Sequence, residues 1–91
     1  MENNKQAIFS LEAEQAVLGS CLVDKEAVFT SMEELQANDF HRQDNKTIFE
    51  AMTNLFNTNQ AIDIITVKDE LESMKKLDNV GRNGVFSLFN W

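Results

Sequence analysis

The hydrophobic residues of this chain recur at helical spacing, and they predict four helices and the start of a fifth. The first helix begins after Ser10, a favoured N-cap residue, and one apolar stripe is predicted to face the core. That stripe comprises Leu11, Val17, Leu18, Cys21 and Leu22. A second face carries only small residues, namely Ala13, Ala16 and Ser20. We therefore expect another helix to approach this face closely, so that the first helix is buried on two sides.

The next two helices have clear limits. Asp24 is predicted to cap a second helix over about residues 25–36, which is broken at Asn38 and Asp39. The third helix, about residues 42–57, has the clearest apolar face in the chain. That face comprises Asn45, Ile48, Phe49, Met52, Leu55 and Phe56. We interpret it as core rather than as a groove for a partner helix, because such faces are more often buried.

A polar turn at residues 57–60 precedes the last elements. A briefly extended stretch is expected at Ile62, Ile64 and Ile65. Thr66 with Asp69 resembles a capping box, which predicts the start of a fourth helix there. The apolar residues of that helix are Val67, Leu71 and Met74. Residues 78–84 are predicted to form a loop, and residues 85–91 to begin a fifth helix.

The composition is that of one small globular domain, with 91 residues, 43% hydrophobic content and no proline. We expect a loosely packed or disordered segment at 1–9, a helical head at 10–80, and at 81–91 a loop with the start of a truncated fifth helix. No run approaches the roughly 18 apolar residues of a membrane span. Cys21 is the only cysteine, so no intramolecular disulfide is possible and a reducing cytoplasm is expected.

The net charge of −7 is concentrated in the first half of the chain. Residues 1–40 hold eight acidic residues against Lys5 and Lys25, which leaves six of the negative charges there. Because an acidic surface repels phosphate backbones, strong direct binding to nucleic acid is not expected. The G-x-x-G sequence at residues 81–84 has the form of an RNA-binding loop, but the predicted fold lacks the sheet and basic groove of that module. A protein partner with a basic or apolar patch is the better prediction.

The sequence offers no catalytic, cofactor-binding or metal site, and we expect no enzyme. It contains no G-x-x-x-x-G-K-[ST] loop, so an ATPase motor is not expected in these residues. Cys21 and His41 are single residues on different predicted helices and do not make a zinc site. Cys21 is interpreted as a small buried hydrophobe, and His41 as a surface or half-buried polar group. Glu12 and Glu14 are interpreted as first-turn charges rather than as paired carboxylates.

The last residues of the chain are unusually apolar and aromatic. They include Val85, Phe86, Leu88, Phe89 and Trp91. Soluble monomers rarely expose such a patch, so these side chains either fold back onto the head or associate with another chain. We favour self-association, because aromatic residues are enriched at interface cores.

Four spaced motifs resemble the N-terminal domain of the bacterial replicative DNA helicase, the DnaB family. They are Glu12-Ala13-Glu14-Gln15-Ala16-Val17-Leu18-Gly19, Asp39-Phe40-His41-Arg42, Ile48-Phe49-Glu50-Ala51-Met52 and Ile62-Asp63-Ile64-Ile65-Thr66-Val67. The resemblance runs from about Phe9 to Val80. It implies an all-α fold, a compact orthogonal bundle of four to five helices, with the helical hairpin that follows in the family truncated here.

The resemblance also implies a function without catalysis. In the family, paired hairpins build a ring that is a trimer of dimers, and the same collar binds the helicase-binding domain of primase and, in some bacteria, the loader. This chain departs from the family at His41, where tyrosine is usual, and at residues 81–88, where a short insertion replaces the Gly-Gly and aromatic-Leu pair. The sequence ends at Trp91. Two interpretations follow: the head of a full helicase, or a stand-alone, phage-type mimic of that head that regulates or inhibits replication by binding helicase, loader or primase.

Overall fold

The computed structural model describes residues 10–80, and this part of the chain is helical with no strand. Its five helices and one 3₁₀ turn are, in order, α1 (Leu11–Val23), α2 (Lys25–Glu34), the turn Ala37–Asp39, α3 (Gln43–Asn57), α4 (Ile64–Ser73) and α5 (Leu77–Val80). The predicted all-α class is confirmed. α3 lies at the centre of the molecule, where it contacts α1, α4, α5 and the 3₁₀ turn.

Helix α1 begins as predicted and is buried on one face only. The Ser10 hydroxyl accepts a hydrogen bond from the backbone N–H of Ala13 at 3.0 Å, which confirms Ser10 as the N-cap. Leu18, Cys21 and Leu22 are buried in the core, as the apolar stripe predicted.

The second burial face predicted for α1 was wrong. Its small residues Ala13, Ala16 and Ser20 are all exposed. α2 follows α1 after the single residue Asp24 and packs on the cysteine side, where the Cys21 thiol lies 3.5 Å from the Ser31 hydroxyl. Alanine and serine side chains carry little apolar surface, so leaving them in water costs little free energy.

Helix α2 is capped at its start as predicted and ends earlier than expected. The Asp24 carboxylate accepts a hydrogen bond from the backbone N–H of Glu26 at 3.0 Å. The helix ends at Glu34, and Leu35 has an extended backbone. The Asp39 carboxylate then accepts the backbone N–H of Gln36 at 2.8 Å, which stabilises the short 3₁₀ turn instead of a longer α2.

Helix α3 supplies five of the thirteen buried core residues, more than any other helix among the described residues. Ile48, Phe49, Met52 and Leu55 on the predicted face are buried, and Phe56 at its end is half-buried. The rest of the core comprises Val28, Phe40, Ala51, Val67, Leu71 and Val80, together with the three residues of α1. The interpretation of the α3 face as core is therefore confirmed.

Two helices end with a left-handed residue that is not glycine. α3 and α4 are each followed by a residue with positive φ, Asn59 at 59° and Lys75 at 61°. In both cases the next N–H bonds back to the helix, from Gln60 to the Leu55 carbonyl and from Lys76 to the Leu71 carbonyl, each at 2.9 Å. This is the Schellman arrangement, in which the left-handed position is usually occupied by glycine.

The predicted start of α4 was three residues too late. Asp63 is the N-cap, and its Oδ1 accepts from the backbone N–H groups of Ile65 and Thr66, each at 2.9 Å. The Thr66 hydroxyl accepts the N–H of Asp63 in return, so Thr66 closes the capping box that Asp63 opens. Ile64 and Ile65 are therefore helical rather than extended. The loop predicted from residue 78 was also wrong as far as residue 80, because α5 continues to Val80.

Candidate functional site

A buried carboxylate joins α1 to the start of α3. Glu14 is fully buried, and its Oε2 accepts a hydrogen bond from the backbone N–H of His41 at 2.6 Å. Its Oε1 accepts from the side-chain amide of Asn45 at 2.8 Å and lies 3.4 Å from the N–H of Arg42. Because the start of a helix carries partial positive charge, a carboxylate is well suited to this position. Glu14 therefore fixes how α3 enters the core.

A second carboxylate, that of Asp44, lies beside this junction. It is buried and forms a paired contact with the Arg42 guanidinium, at 3.0 Å from Nε and 2.9 Å from Nη2. Its hydrogen bonds and negative charge raise the pKa of Arg42 above its usual value. Asp44 Oδ1 also accepts the backbone N–H of Asn45 at 2.8 Å. Among the described residues, the buried Oδ1 of Asn45 has no hydrogen-bond partner.

Glu12 and Glu14 both lie in the first turn of α1, as predicted, but the sequence analysis did not predict that Glu14 is buried. Glu12, two residues earlier, is exposed. A signal was present, because position 14 lies one helical turn before Leu18 and two before Leu22, on the core stripe itself. The junction is a structural site, since all the contacts described for the Glu14 carboxylate are to residues 41–45 of the same chain.

An open groove lies between the α1–α2 corner and the α3–α4 connection, and we call it the apolar groove. Its apolar lining comprises Leu22, Val23, Val28, Phe29, Phe56 and Ile62, and its volume is about 660 Å³. Val23 and Phe29 are 80% and 51% exposed. The rings of Phe29 and Phe56 form a T-shaped contact, with 5.7 Å between their centroids. The groove thus presents large apolar side chains to solvent on a helical base.

The other candidate residues show no catalytic arrangement. Cys21 is buried as predicted, and burial, reinforced by the nearby Asp24 charge and opposed by the Ser31 hydrogen bond, raises the pKa of its thiol. His41 is exposed, in agreement with the interpretation as a surface residue. Within residues 10–80, no three His, Cys, Asp or Glu side chains cluster in a way that could hold a metal ion. No helix in that range is long and apolar enough to cross a membrane.

The residues predicted to mediate self-association are Val85, Phe86, Leu88, Phe89 and Trp91. They lie outside the described residues, as does the G-x-x-G sequence at residues 81–84. Their role stays a prediction.

Comparison with known proteins identifies the family. Residues 6–90 match the family model of the DnaB-like helicase N-terminal domain. The chain belongs to this family. The DnaB-like fold is similar to that in the crystal structure of the N-terminal domain of DnaB helicase from Mycobacterium tuberculosis, with a TM-score of 0.79 and 31% sequence identity. That match covers 97% of this chain and 58% of the other.

Two replicative DnaB helicases illustrate the sequence relationship. The protein of Buchnera aphidicola subsp. Schizaphis graminum is 41% identical over 73 residues, and that of Geobacillus stearothermophilus is 38% identical over 72 residues. The matched segments cover 80% and 79% of this chain but 16% of each relative. The chain thus spans about one sixth of those helicases. It corresponds to the DnaB N-terminal domain, which lacks the ATPase motor.

Proposed function

We propose that this chain is a non-catalytic assembly and docking module of a replicative DNA helicase. It supports ring assembly of helicase subunits and binds primase, the helicase loader or both during DNA replication in the cytoplasm. The observation that carries the proposal is the match to the DnaB N-terminal domain over residues 6–90. The absence of a phosphate-binding loop from the sequence agrees with it.

The surface of the described residues also favours a docking role over chemistry. The apolar groove exposes Val23 and Phe29, and exposed apolar side chains at a concave site are typical of protein contacts. The main buried polar cluster, Glu14 with Asn45 and Asp44, is occupied by contacts within the fold. It holds helices together and offers no accessible nucleophile or base.

Binding measurements test the proposal. The intact chain is titrated by calorimetry with the helicase-binding domain of primase, the loader and a full-length helicase subunit, each from the organism that encodes the chain. Saturable binding to at least one of them is expected, with ATP turnover equal to that of buffer. The absence of binding to all three would overturn the proposal. Sequencing the gene beyond Trp91 distinguishes the head of a full helicase from a stand-alone mimic of that head. An ATPase domain encoded after Trp91 would exclude the mimic.

Self-association is the second part of the proposal, and we assign it to Val85, Phe86, Leu88, Phe89 and Trp91. Light scattering of the wild-type chain is expected to show a mass above that of the monomer. Phe86→Ser should lower this mass, because it removes an aromatic side chain from the interface. Asn90→Ser in the same segment is the control and should leave the mass unchanged. A wild type that is strictly monomeric at high concentration would contradict this part.

A further inference from the structure

The apolar groove concentrates the large apolar side chains that the described residues leave in water. Three such side chains are prominently exposed in residues 10–80, and they are Val23, Phe29 and Ile65. Two of these three lie at the apolar groove, where Val23 ends α1 and Phe29 follows on the second turn of α2. Isolated exposed apolar residues are normal, whereas apolar side chains around a concave surface mark a binding site.

The groove has the size and shape to receive side chains from a partner. Its volume of about 660 Å³ lies within the range of roughly 300–1,000 Å³ that is common for ligand pockets. Its floor is formed by buried Leu22 and Val28, and its wall by the half-buried Phe56 and Ile62. An amphipathic helix docks in such a groove through anchors spaced one turn apart.

Charge decides which kind of partner fits. Among the residues that line the groove, Lys25 and Asp24 are the charged ones and cancel. Beyond them, exposed Glu33 lies one turn after Phe29 on the same side of α2, and the first half of the chain, which forms α1 and α2, carries six of the seven net negative charges. The rim is therefore acidic. A second copy of this chain would bring the same acidic first half to this rim and is disfavoured here, so the proposed self-association is assigned to residues 85–91 instead.

We propose that the apolar groove binds a basic amphipathic helical segment of a partner protein. Its apolar anchors contact Phe29, Phe56 and Ile62, and its lysine or arginine side chains lie near Glu33. This inference rests on the proposed docking function and places it on a defined surface. Charge complementarity contributes selectivity and association rate, while the apolar anchors supply most of the affinity.

The first test uses two synthetic amphipathic helices with the same leucine anchors, one with lysines on its polar face and one with glutamates. The lysine helix should bind the wild-type chain at least about tenfold more tightly at low salt. Phe29→Asp should weaken binding of the lysine helix by about tenfold or more. Ile65→Asp is the matched control, because Ile65 is 69% exposed on α4 and does not line the groove. It should change the affinity less than about twofold.

A second pair of variants tests the charge alone. Glu33→Lys should weaken binding of the lysine helix, whereas Glu34→Lys, at the neighbouring exposed position, should have a smaller effect. Equal binding of the lysine and glutamate helices, or equal effects of Phe29→Asp and Ile65→Asp, would overturn the inference.

Two further outcomes would assign the groove to other occupants and so overturn the proposal. Trp91 is the only tryptophan, so a shift of its fluorescence in the isolated Phe29→Asp chain would mean that the chain's own C-terminal segment occupies the groove. A fall in mass by light scattering in Phe29→Asp would mean that a second copy occupies it.

Binding to the primase domain separates this inference from the proposed function. If the primase domain binds the wild type and Phe29→Asp equally well, the assignment of docking to the apolar groove is overturned, while the proposed function stands. Failure of primase, loader and helicase subunit to bind the wild type would overturn the proposed function, whatever the synthetic helices do.

Discussion

Replacing Glu14 by alanine should bring the domain close to unfolding. The change removes the acceptor that the His41 N–H reaches at 2.6 Å and the Asn45 amide at 2.8 Å. A hydrogen bond to a charged group contributes about 1.5–3 kcal/mol, and an orphaned buried donor such as the Asn45 amide costs about 1–3 kcal/mol. The expected loss is therefore about 3–5 kcal/mol. A domain of this size has a free energy of unfolding of only about 5 kcal/mol or a little more.

Urea unfolding followed by helical circular dichroism measures this loss. Glu14→Gln keeps one oxygen acceptor and the side-chain volume, so it should lose less stability, about 1–3 kcal/mol. Glu12→Ala is the matched control, because Glu12 is an exposed carboxylate in the same helical turn. It should change the free energy of unfolding by about 0.5 kcal/mol or less. Equal unfolding midpoints for Glu14→Ala and Glu12→Ala would refute the role of the buried carboxylate.

Three smaller perturbations test other parts of the fold. Burial raises the pKa of the Cys21 thiol, so a smaller fraction of it is thiolate at about pH 8. Alkylation of Cys21 should therefore be much slower in the folded chain than in the chain unfolded by urea, and equal rates would contradict this. Asp63→Ala should cost about 1–2 kcal/mol in urea unfolding through loss of the α4 cap, whereas exposed Asp69→Ala in the same helix should cost little. Lys75→Gly should stabilise the domain by about 1 kcal/mol, because Lys75 has a left-handed backbone with φ of 61°. Lys75→Ala is the control and should be nearly neutral. A glycine variant less stable than the wild type would refute the left-handed geometry.

Much of the fold could be predicted from the spacing of apolar residues. The core face of α3 was predicted because Ile48, Phe49, Met52 and Leu55 repeat at helical intervals, and burial of that face is the main source of stability for such a helix. The caps at Ser10 and Asp24 were also predictable, since each acts on a backbone N–H two or three residues away.

The errors came where the partner lies far away in sequence or where two local signals compete. Glu14 accepts hydrogen bonds from His41 and Asn45, which follow it by 27 and 31 positions, and the local sequence pattern does not specify such a pairing. Thr66 can be either the N-cap residue or the third helical residue of a capping box. Because the Asp63 side chain caps the helix, Thr66 takes the third position. The small face of α1 could have admitted a helix, but the single-residue corner at Asp24 directs α2 to the cysteine side.

The apolar groove was harder to predict, because it joins three separate parts of the sequence. The corner at Val23, the second turn of α2 at Phe29 and the connection at Ile62 each look unremarkable alone. Only the packing of α2 beside the end of α3, seen in the contact of Phe29 with Phe56, brings them together. The self-association assigned to residues 85–91 lies outside the described residues and stays a prediction.

The account depends most on docking, and one measurement tests it most directly. That measurement is calorimetric titration of the intact chain with the helicase-binding domain of primase, the loader and the helicase subunit. The account predicts saturable binding to at least one of these proteins. Three titrations without binding, from a chain whose circular dichroism shows that it is folded, would contradict it.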